Sequence, residues 1–240
     1  MSADGAQDFG TLYVVATPIG HLDDMTFRAV ETLKSVDAIA SEDTRRTKTL
    51  VKRYDIRRPL VAYHEHNEER AAVRLVERLK AGETLALVTD AGTPLVSDPG
   101  YRLVELAVRM GIRVMPIPGP SAVTAALCAA GLPPQPFHFA GFLPRKDGAR
   151  RSRLEELGAL GCTLVFYESP HRVGKTLAAM AEVLGGRKAV VARELTKVHE
   201  EFVRGTLPEL AARYAESKPK GEIVVLVAGA QAPLTPRSRR

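Results

Sequence analysis

Short apolar runs alternate with amphipathic stretches through the first half of the chain, and this rhythm narrows the possible folds more than any other feature. Residues 11–16, 36–40, 60–63, 85–89 and 113–117 read as strands. Between them, apolar residues recur at helical spacing: Val30, Leu33 and Val36 in the segment from Phe27, and Val73, Val76 and Leu79 in the segment 71–79. A strand followed by a helix, several times over, calls for crossover connections. The result is a mostly parallel sheet with helices on both faces.

Pro118, Gly119 and Pro120 break the rhythm after the fifth strand, and Gly131-Leu132-Pro133-Pro134-Gln135-Pro136 breaks it again after one Ala-rich helix at 123–130. A domain boundary is therefore expected near Pro118, giving an N-terminal α/β domain over 10–118 and a C-terminal α/β domain over 119–230. The tail 231–240 carries Pro and Arg and is expected to be disordered. In the second half, strands are expected at 137–140, 163–167, 189–193, 201–206 and 223–227. The connection between 189–193 and 201–206 is too short for a crossover helix, so these two runs should form an antiparallel hairpin within a mixed sheet.

With 240 residues the chain can bury a core large enough to carry a cleft. Its two cysteines, Cys128 and Cys162, lie in apolar stretches and are expected to be reduced core residues, since a disulfide framework or a zinc site needs more of them at close spacing. No metal is expected. The polar N-terminus lacks the apolar region of a signal peptide, and no apolar run reaches bilayer length, which points to a cytoplasmic protein without a membrane partner. A net charge of +6 favours an anionic partner.

The most informative stretch is Asp90-Ala91-Gly92-Thr93-Pro94-Leu95-Val96-Ser97-Asp98-Pro99-Gly100, which follows an apolar strand and precedes a helix. Loops at the carboxyl ends of parallel strands are where such sheets bind ligands, and glycine lets a ligand approach the backbone. Ser97 or Asp98 as N-cap and Pro99 at the helix start account for the end of this loop but not for Gly92-Thr93-Pro94. A second loop, Pro118-Gly119-Pro120-Ser121-Ala122, follows the next strand and opens a helix with Ser121 as its natural N-cap. A third, Thr17-Pro18-Ile19-Gly20, follows the first strand. Loops of this kind at adjacent strand ends suggest one shared ligand site.

Three other patterns compete for attention. Ser169-Pro170-His171-Arg172-Val173-Gly174-Lys175-Thr176 matches a phosphate-binding P-loop except at its first position, but Pro170 removes a backbone donor and the His and Arg side chains hinder the tight wrap. His64-Glu65-His66 would put two imidazoles on one face of a strand, yet a polar strand end explains it without a metal. Glu42-Asp43 followed by Thr44-Arg45-Arg46 reads either as a capped, salt-bridged helix start or as a pair of carboxylates at a substrate site.

Seven segments in order resemble the ribosomal RNA small subunit methyltransferase I family of the tetrapyrrole-methylase superfamily. They are residues 17–26, 41–45, 90–100, 118–122, Gly141-Phe142-Leu143-Pro144-Arg145-Lys146, 167–172 and Arg193-Glu194-Leu195-Thr196-Lys197, and the likeness spans about residues 10–229. The resemblance implies a two-domain α/β enzyme, a homodimer, that binds S-adenosylmethionine in an interdomain cleft. It also implies methylation of the ribose 2′-hydroxyl of a cytidine in the decoding region of small-subunit RNA, within the assembled ribosomal subunit. Position by position, cofactor contacts would fall at Ile19, Thr93, Val96, Ser121, Ala122 and Tyr167, and Gly92, Pro94 and Gly119 of the same loops are candidates beside them. Thr93 stands where many relatives carry Asp, and His21 where the family carries Asn.

Methyl transfer from a sulfonium to a hydroxyl is an in-line displacement, which requires positioning, a dry cleft and a proton acceptor. By residue type the acceptor could be Glu42, Asp43, Glu168, His171, Glu194 or Lys197, and spacing selects none of them. Arg45, Arg46, Arg145, Lys146, Arg150 and Arg172 follow motif segments and are candidates to hold RNA phosphates. A methylase of a small tetrapyrrole-like acceptor would keep the loops without the cations. A non-catalytic RNA-binding protein would keep the cations without the loops.

Overall fold

The computed structural model describes residues 8–217 and 219–230, so the tail expected to be disordered lies outside the described residues. The chain divides into two compact units between Ser121 and Ala122.

The first unit is the repeated strand–helix rhythm made solid. Five strands, β1 (Thr11–Val15), β2 (Ala38–Ser41), β3 (Leu60–Ala62), β4 (Leu85–Val88) and β5 (Arg113–Ile117), alternate with α1 (Phe27–Ser35), α2 (Thr44–Arg53), α3 (Glu68–Lys80) and α4 (Tyr101–Arg109). All neighbouring strands are parallel, in the order β3-β2-β4-β1-β5. Alternation along β4 shows how both faces are filled. Leu85 and Leu87 join Leu75 and Leu79 of α3 and Leu103 of α4, while Ala86 and Val88 join Leu33 of α1 and Leu50 of α2.

Four sequence expectations shift here. The strand order puts β1 between β4 and β5, so the loops after β4 and β5 do not follow neighbouring strands. Val36 closes α1 through its backbone bond to Thr32, which delays β2 to Ala38. On α3 the buried positions are Ala71, Ala72, Leu75, Val76 and Leu79, whereas Val73 is exposed. The stripe i, i+1, i+4, i+5, i+8 meets the sheet, and Val73 falls outside it. Neither Ser97 nor Asp98 caps α4: the N-cap is Gly100 at φ +142°, where a β-carbon would lie 2.9 Å from the side chains of Leu87 and Leu95.

Gly100 has no side chain with which to cap, and the phenol of Tyr63, just past β3, supplies the missing acceptor. It receives the backbone N–H of Leu103 in the first turn of α4 at 3.2 Å.

The second unit holds α5 (Ala122–Ala130), β6 (Phe137–Phe142), α6 (Asp147–Gly158), β7 (Thr163–Glu168), α7 (Val173–Leu184), β8 (Lys188–Arg193), β9 (Glu201–Thr206), α8 (Leu207–Tyr214) and β10 (Ile223–Val227). Its sheet runs β6-β7-β10-β8-β9 and is mixed: β6 and β7 are parallel, and the other pairs are antiparallel. The expected hairpin is present as β8–β9, from Lys188 opposite Thr206 to Arg193 opposite Glu201. Leu164 and Phe166 of β7, Leu177 and Met180 of α7, and Val225 of β10 form the core.

The cysteines are both free, and only Cys162 packs against the core. Cys128 is exposed and Cys162 half-buried. On α5 the residues turned inward are Val123, Ala126, Leu127 and Ala130, one helical stripe that leaves position 128 on the opposite side. No described helix is long and apolar enough to cross a membrane.

Burial pushes the Tyr63 phenol from 10.0 up to about 12, so its neutral form belongs to the folded state. Its stabilising contribution is whole below pH 10 and drains away as pH climbs from 10 towards 12. Tyr63→Phe strands the buried N–H of Leu103 and should cost about 1–3 kcal/mol in urea unfolding at neutral pH. The same variant should show a shallower loss of stability between pH 10 and 12.

Candidate cofactor and acceptor site

Within the first unit, the loops after β1, β4 and β5 meet at the carboxyl edge of the sheet because β1 separates the other two strands. Thr17 and Gly92 exchange two backbone hydrogen bonds, at 2.9 and 3.0 Å. The Thr17 hydroxyl donates to the Thr89 carbonyl at 3.1 Å, and the Thr93 hydroxyl to the Pro120 carbonyl at 3.2 Å. A β-carbon on Gly119 would sit 3.1 Å from that of Ala16, and one on Gly92 would sit 3.4 Å from Ile19. The structure thus brings Ile19, Gly92, Thr93 and Gly119 together. Pro94 and Val96 follow in the same loop, and Ser121 ends the unit. Ala122 opens α5 in the second unit.

The loop after β4 is strained. Leu95 and Ser97 take φ of +72° and +67°, in the left-handed region that disfavours side-chain-bearing residues, at a cost on the order of 1–3 kcal/mol each. Such geometry persists where surroundings impose it, and here both neighbouring strand-end loops are tied to the same stretch. Residues 16–20, 91–97 and 116–121 carry no charged side chain. What they offer is backbone donors and acceptors, small side chains and prolines. That donor set fits a cofactor such as S-adenosylmethionine, whose sulfonium charge disappears on transfer and should not be held by a carboxylate.

The end of β2 lies at the same edge. Asp43 caps α2, receiving the Arg45 backbone N–H at 2.9 Å and its guanidinium at 3.0 and 3.1 Å. The Arg45 side-chain bonds come first among the causes that lower its carboxyl to about 2. Asp90 receives the Asp43 backbone N–H at 3.1 Å and pairs with Arg46 at 3.1 Å. Glu42 differs: one carboxylate oxygen receives the hydroxyl of buried Thr89 at 3.1 Å, and no described group donates to the other.

In the second unit, Tyr167 stacks edge-on with Phe139 and Phe142, with ring centroids 4.9 and 5.6 Å away. Next to it, Glu168 is buried with both oxygens occupied by the Ser169 N–H, the Thr176 hydroxyl and, at 3.6 Å, Arg172. Arg172 also donates to the carbonyls of Leu143 and Pro144. His171 is exposed. Glu194 and Lys197 form an ion pair at 2.8 Å, and Lys197 reaches Glu222 at 3.0 Å. The Lys197 bond lowers the Glu194 carboxyl, while for Lys197 burial is outweighed by its two carboxylate partners and the ammonium is held above its ordinary range. Glu194 and Thr196 both have positive φ.

Arg150 departs from the sequence expectation. It is 6 % exposed and donates to the Arg145 carbonyl and to Asp147, so its charge is spent inside α6 rather than offered to phosphate. The fourth position of this helix faces the core beside Leu154, which sequence charge alone does not reveal. Arg151 and Arg153 are neutralised by Glu182 and Glu156. Arg145 and Lys146 remain exposed without an acidic partner among the described residues. Arg45 and Arg46 are exposed but paired.

The P-loop-like segment is a tight turn. The N–H groups of Arg172 and Val173 both bond to the Ser169 carbonyl at 3.0 Å and are not free to cradle phosphate. Its glycine has another purpose: a β-carbon on Gly174 would lie 2.4 Å from the Tyr214 carbonyl, so the residue lets α7 pack on α8. His64 and His66 lie in a turn after β3, which ends at Ala62, and the Asn67 side chain receives the His64 N–H. Among the described residues no group of three or more metal-ligating side chains comes together.

Sequence reasoning took Thr17 only as the start of its loop and missed Thr89. Each is a buried threonine just past an apolar strand, a place where a hydroxyl needs a partner, and that was the available signal.

Comparison with known proteins matches residues 11–211 to the tetrapyrrole (corrin/porphyrin) methylases. Ribosomal RNA small subunit methyltransferase I of Mesorhizobium japonicum is 58 % identical, covering 92 % of this chain and 76 % of that protein. The protein of that name in Bacillus subtilis is 52 % identical, covering 95 % and 78 %. Among solved structures, cobalt precorrin-4 methyltransferase superposes with a TM-score of 0.68 at 19 % identity, covering 95 % of this chain and 98 % of that one. Uroporphyrin-III C-methyltransferase of Thermus thermophilus, complexed with S-adenosylhomocysteine, gives 0.63 at 21 % identity over 90 % and 96 %. The two α/β units are the fold those enzymes share, and the chain belongs to the tetrapyrrole methylase family, among the ribosomal RNA small subunit methyltransferases I.

Proposed function

We propose that this chain transfers the methyl group of S-adenosylmethionine to the ribose 2′-hydroxyl of a cytidine in the decoding region of small-subunit ribosomal RNA, acting in the cytoplasm as a homodimer on the assembled subunit. The observation that carries the cofactor half is that residues 16–20, 91–97 and 116–121, from the loops after β1, β4 and β5, meet without a charged side chain. Ile19, Gly92, Thr93, Pro94, Val96, Gly119 and Ser121 of the first unit would hold the cofactor, and the family resemblance adds Ala122 and Tyr167 as contacts. When bound it supplies an activated methyl group. The protein's own share is to orient the acceptor hydroxyl, exclude water and receive one proton.

Exposed Arg145 and Lys146 support an RNA acceptor over a small tetrapyrrole. They lie at the start of α6 with no acidic partner among the described residues, and a polyanion would find two cations there, whereas a small ring has no need of them. The strained, mutually bonded loops argue against a protein that only binds RNA.

Gly119→Val should push its methyls against Ala16 and shift the loop. We expect S-adenosylmethionine affinity by calorimetry to fall about tenfold or more, about 1.4 kcal/mol, with circular dichroism still showing a folded protein. Lys175→Ala should leave that affinity unchanged, and tight ATP binding by the wild type would reopen the phosphate-loop reading.

Nucleosides from small-subunit RNA of cells with and without the protein, compared by mass spectrometry, should differ by one ribose-methylated cytidine. An amine- or carbon-methylated base in its place would refute the acceptor.

Replacing Arg145 and Lys146 together by alanine should weaken RNA binding and flatten its dependence on salt. Two lost phosphate contacts correspond to a change of about 1.4 in the slope of log K against log salt for single-stranded RNA. Unaltered binding across a salt series would make these residues an ordinary solvated surface.

A further inference from the structure

Resting on the proposed hydroxyl acceptor, we infer that Glu42 is the general base of the reaction and that Thr89 holds it in place. A base needs an oriented side chain, a free acceptor atom and a charge not already neutralised. Asp43 fails the last condition, being bound by the Arg45 guanidinium through both oxygens. Asp90 fails likewise through Arg46. In the second unit Glu168 has no free oxygen, Glu194 is paired with Lys197, and Lys197 is held as an ammonium by two carboxylates. His171 is exposed, and among the described residues no partner orients its ring.

Glu42 meets all three conditions. It follows β2 at the carboxyl edge of the sheet, half-buried, with no cation paired to it among the described residues. Its Oε2 receives the Thr89 hydroxyl at 3.1 Å, and its Oε1 receives no hydrogen bond from a described residue. Thr89 is 3 % exposed, and its carbonyl accepts the hydroxyl of Thr17, which is itself doubly bonded to Gly92. Glu42 is therefore tied by a short chain of hydrogen bonds to the same backbone that forms the cofactor loops. The carboxylate and the loops keep their spacing because Thr89 belongs to both.

The step balances without any further reactant. As the ribose oxygen bonds to the methyl carbon, the carbon–sulfur bond breaks and its electron pair stays on sulfur. The hydroxyl proton passes to Oε1 of Glu42. The products are a ribose methyl ether, the neutral thioether S-adenosylhomocysteine and a protonated Glu42, which then returns its proton to water.

The test uses full-length protein, S-adenosylmethionine and small ribosomal subunits lacking the modification. Glu42→Gln keeps an oxygen to receive the Thr89 hydroxyl but cannot take a proton, so a merely structural role predicts normal turnover. We expect kcat to fall roughly 100-fold or more, with cofactor and subunit affinities within about twofold of wild type and an unchanged thermal melt. Glu42→Ala should regain turnover in added formate, which leaves the wild type unaffected. Glu42→Gln turnover within about threefold of wild type would overturn the assignment. So would a loss of cofactor affinity equal to the loss of rate, or a Glu42→Ala rate indifferent to formate. Failure of the underlying reading is seen separately, in the wild type, as a product that carries no ribose methyl group.

Discussion

The insertion of β1 between β4 and β5 is the constraint on which the candidate site depends. It makes neighbours of three strand ends that are far apart in sequence, and the paired backbone bonds between Thr17 and Gly92 lock the first of them to the second. Two threonine hydroxyls complete the junction, one bonded to Thr89 and the other to Pro120. Each of these hydroxyls is buried or half-buried, so losing its partner would leave a desolvated polar group, a penalty larger than the net worth of the bond. The loops are thereby held in conformations that Leu95 and Ser97 would not choose alone.

The distribution of charge follows from the same architecture. Residues 16–20, 91–97 and 116–121 present backbone, proline and uncharged side chains, while at the neighbouring β2–α2 segment Asp43–Arg45 and Asp90–Arg46 neutralise one another. A sulfonium cofactor beside such loops meets no counter-charge from the loop residues themselves. Glu42, which no cation pairs among the described residues, is fastened to the loops through Thr89.

In the second unit, charged residues that look alike in sequence have separate physical tasks. Arg150 is buried and bonded to the Arg145 carbonyl and to Asp147, Arg172 ties the turn before α7 to the chain after β6, and Arg151 and Arg153 are paired on the surface. Arg145 and Lys146 alone in this run are exposed and unpaired by acid. A cluster of cations is therefore a weak guide to an anion site until burial and pairing are known.

Much was legible in the sequence, because it depends on local periodicity: the alternation of strand and helix in the first half, the β8–β9 hairpin, the mixed second sheet and the Gly/Pro loops at strand ends. What the chain could not declare was which strands become neighbours, since crossover lengths are compatible with several orders and only the packing of both sheet faces selects β3-β2-β4-β1-β5. For the same reason the Gly100 cap was unreadable, because the acceptor that replaces it, Tyr63, comes from a distant strand end. Glu42, Asp43, Glu168, Glu194 and Lys197 are equivalent by residue type, and only tertiary structure tells them apart. Whether a carboxylate is neutralised, enclosed or left with a free oxygen is decided by the partners that long-range contacts bring to it.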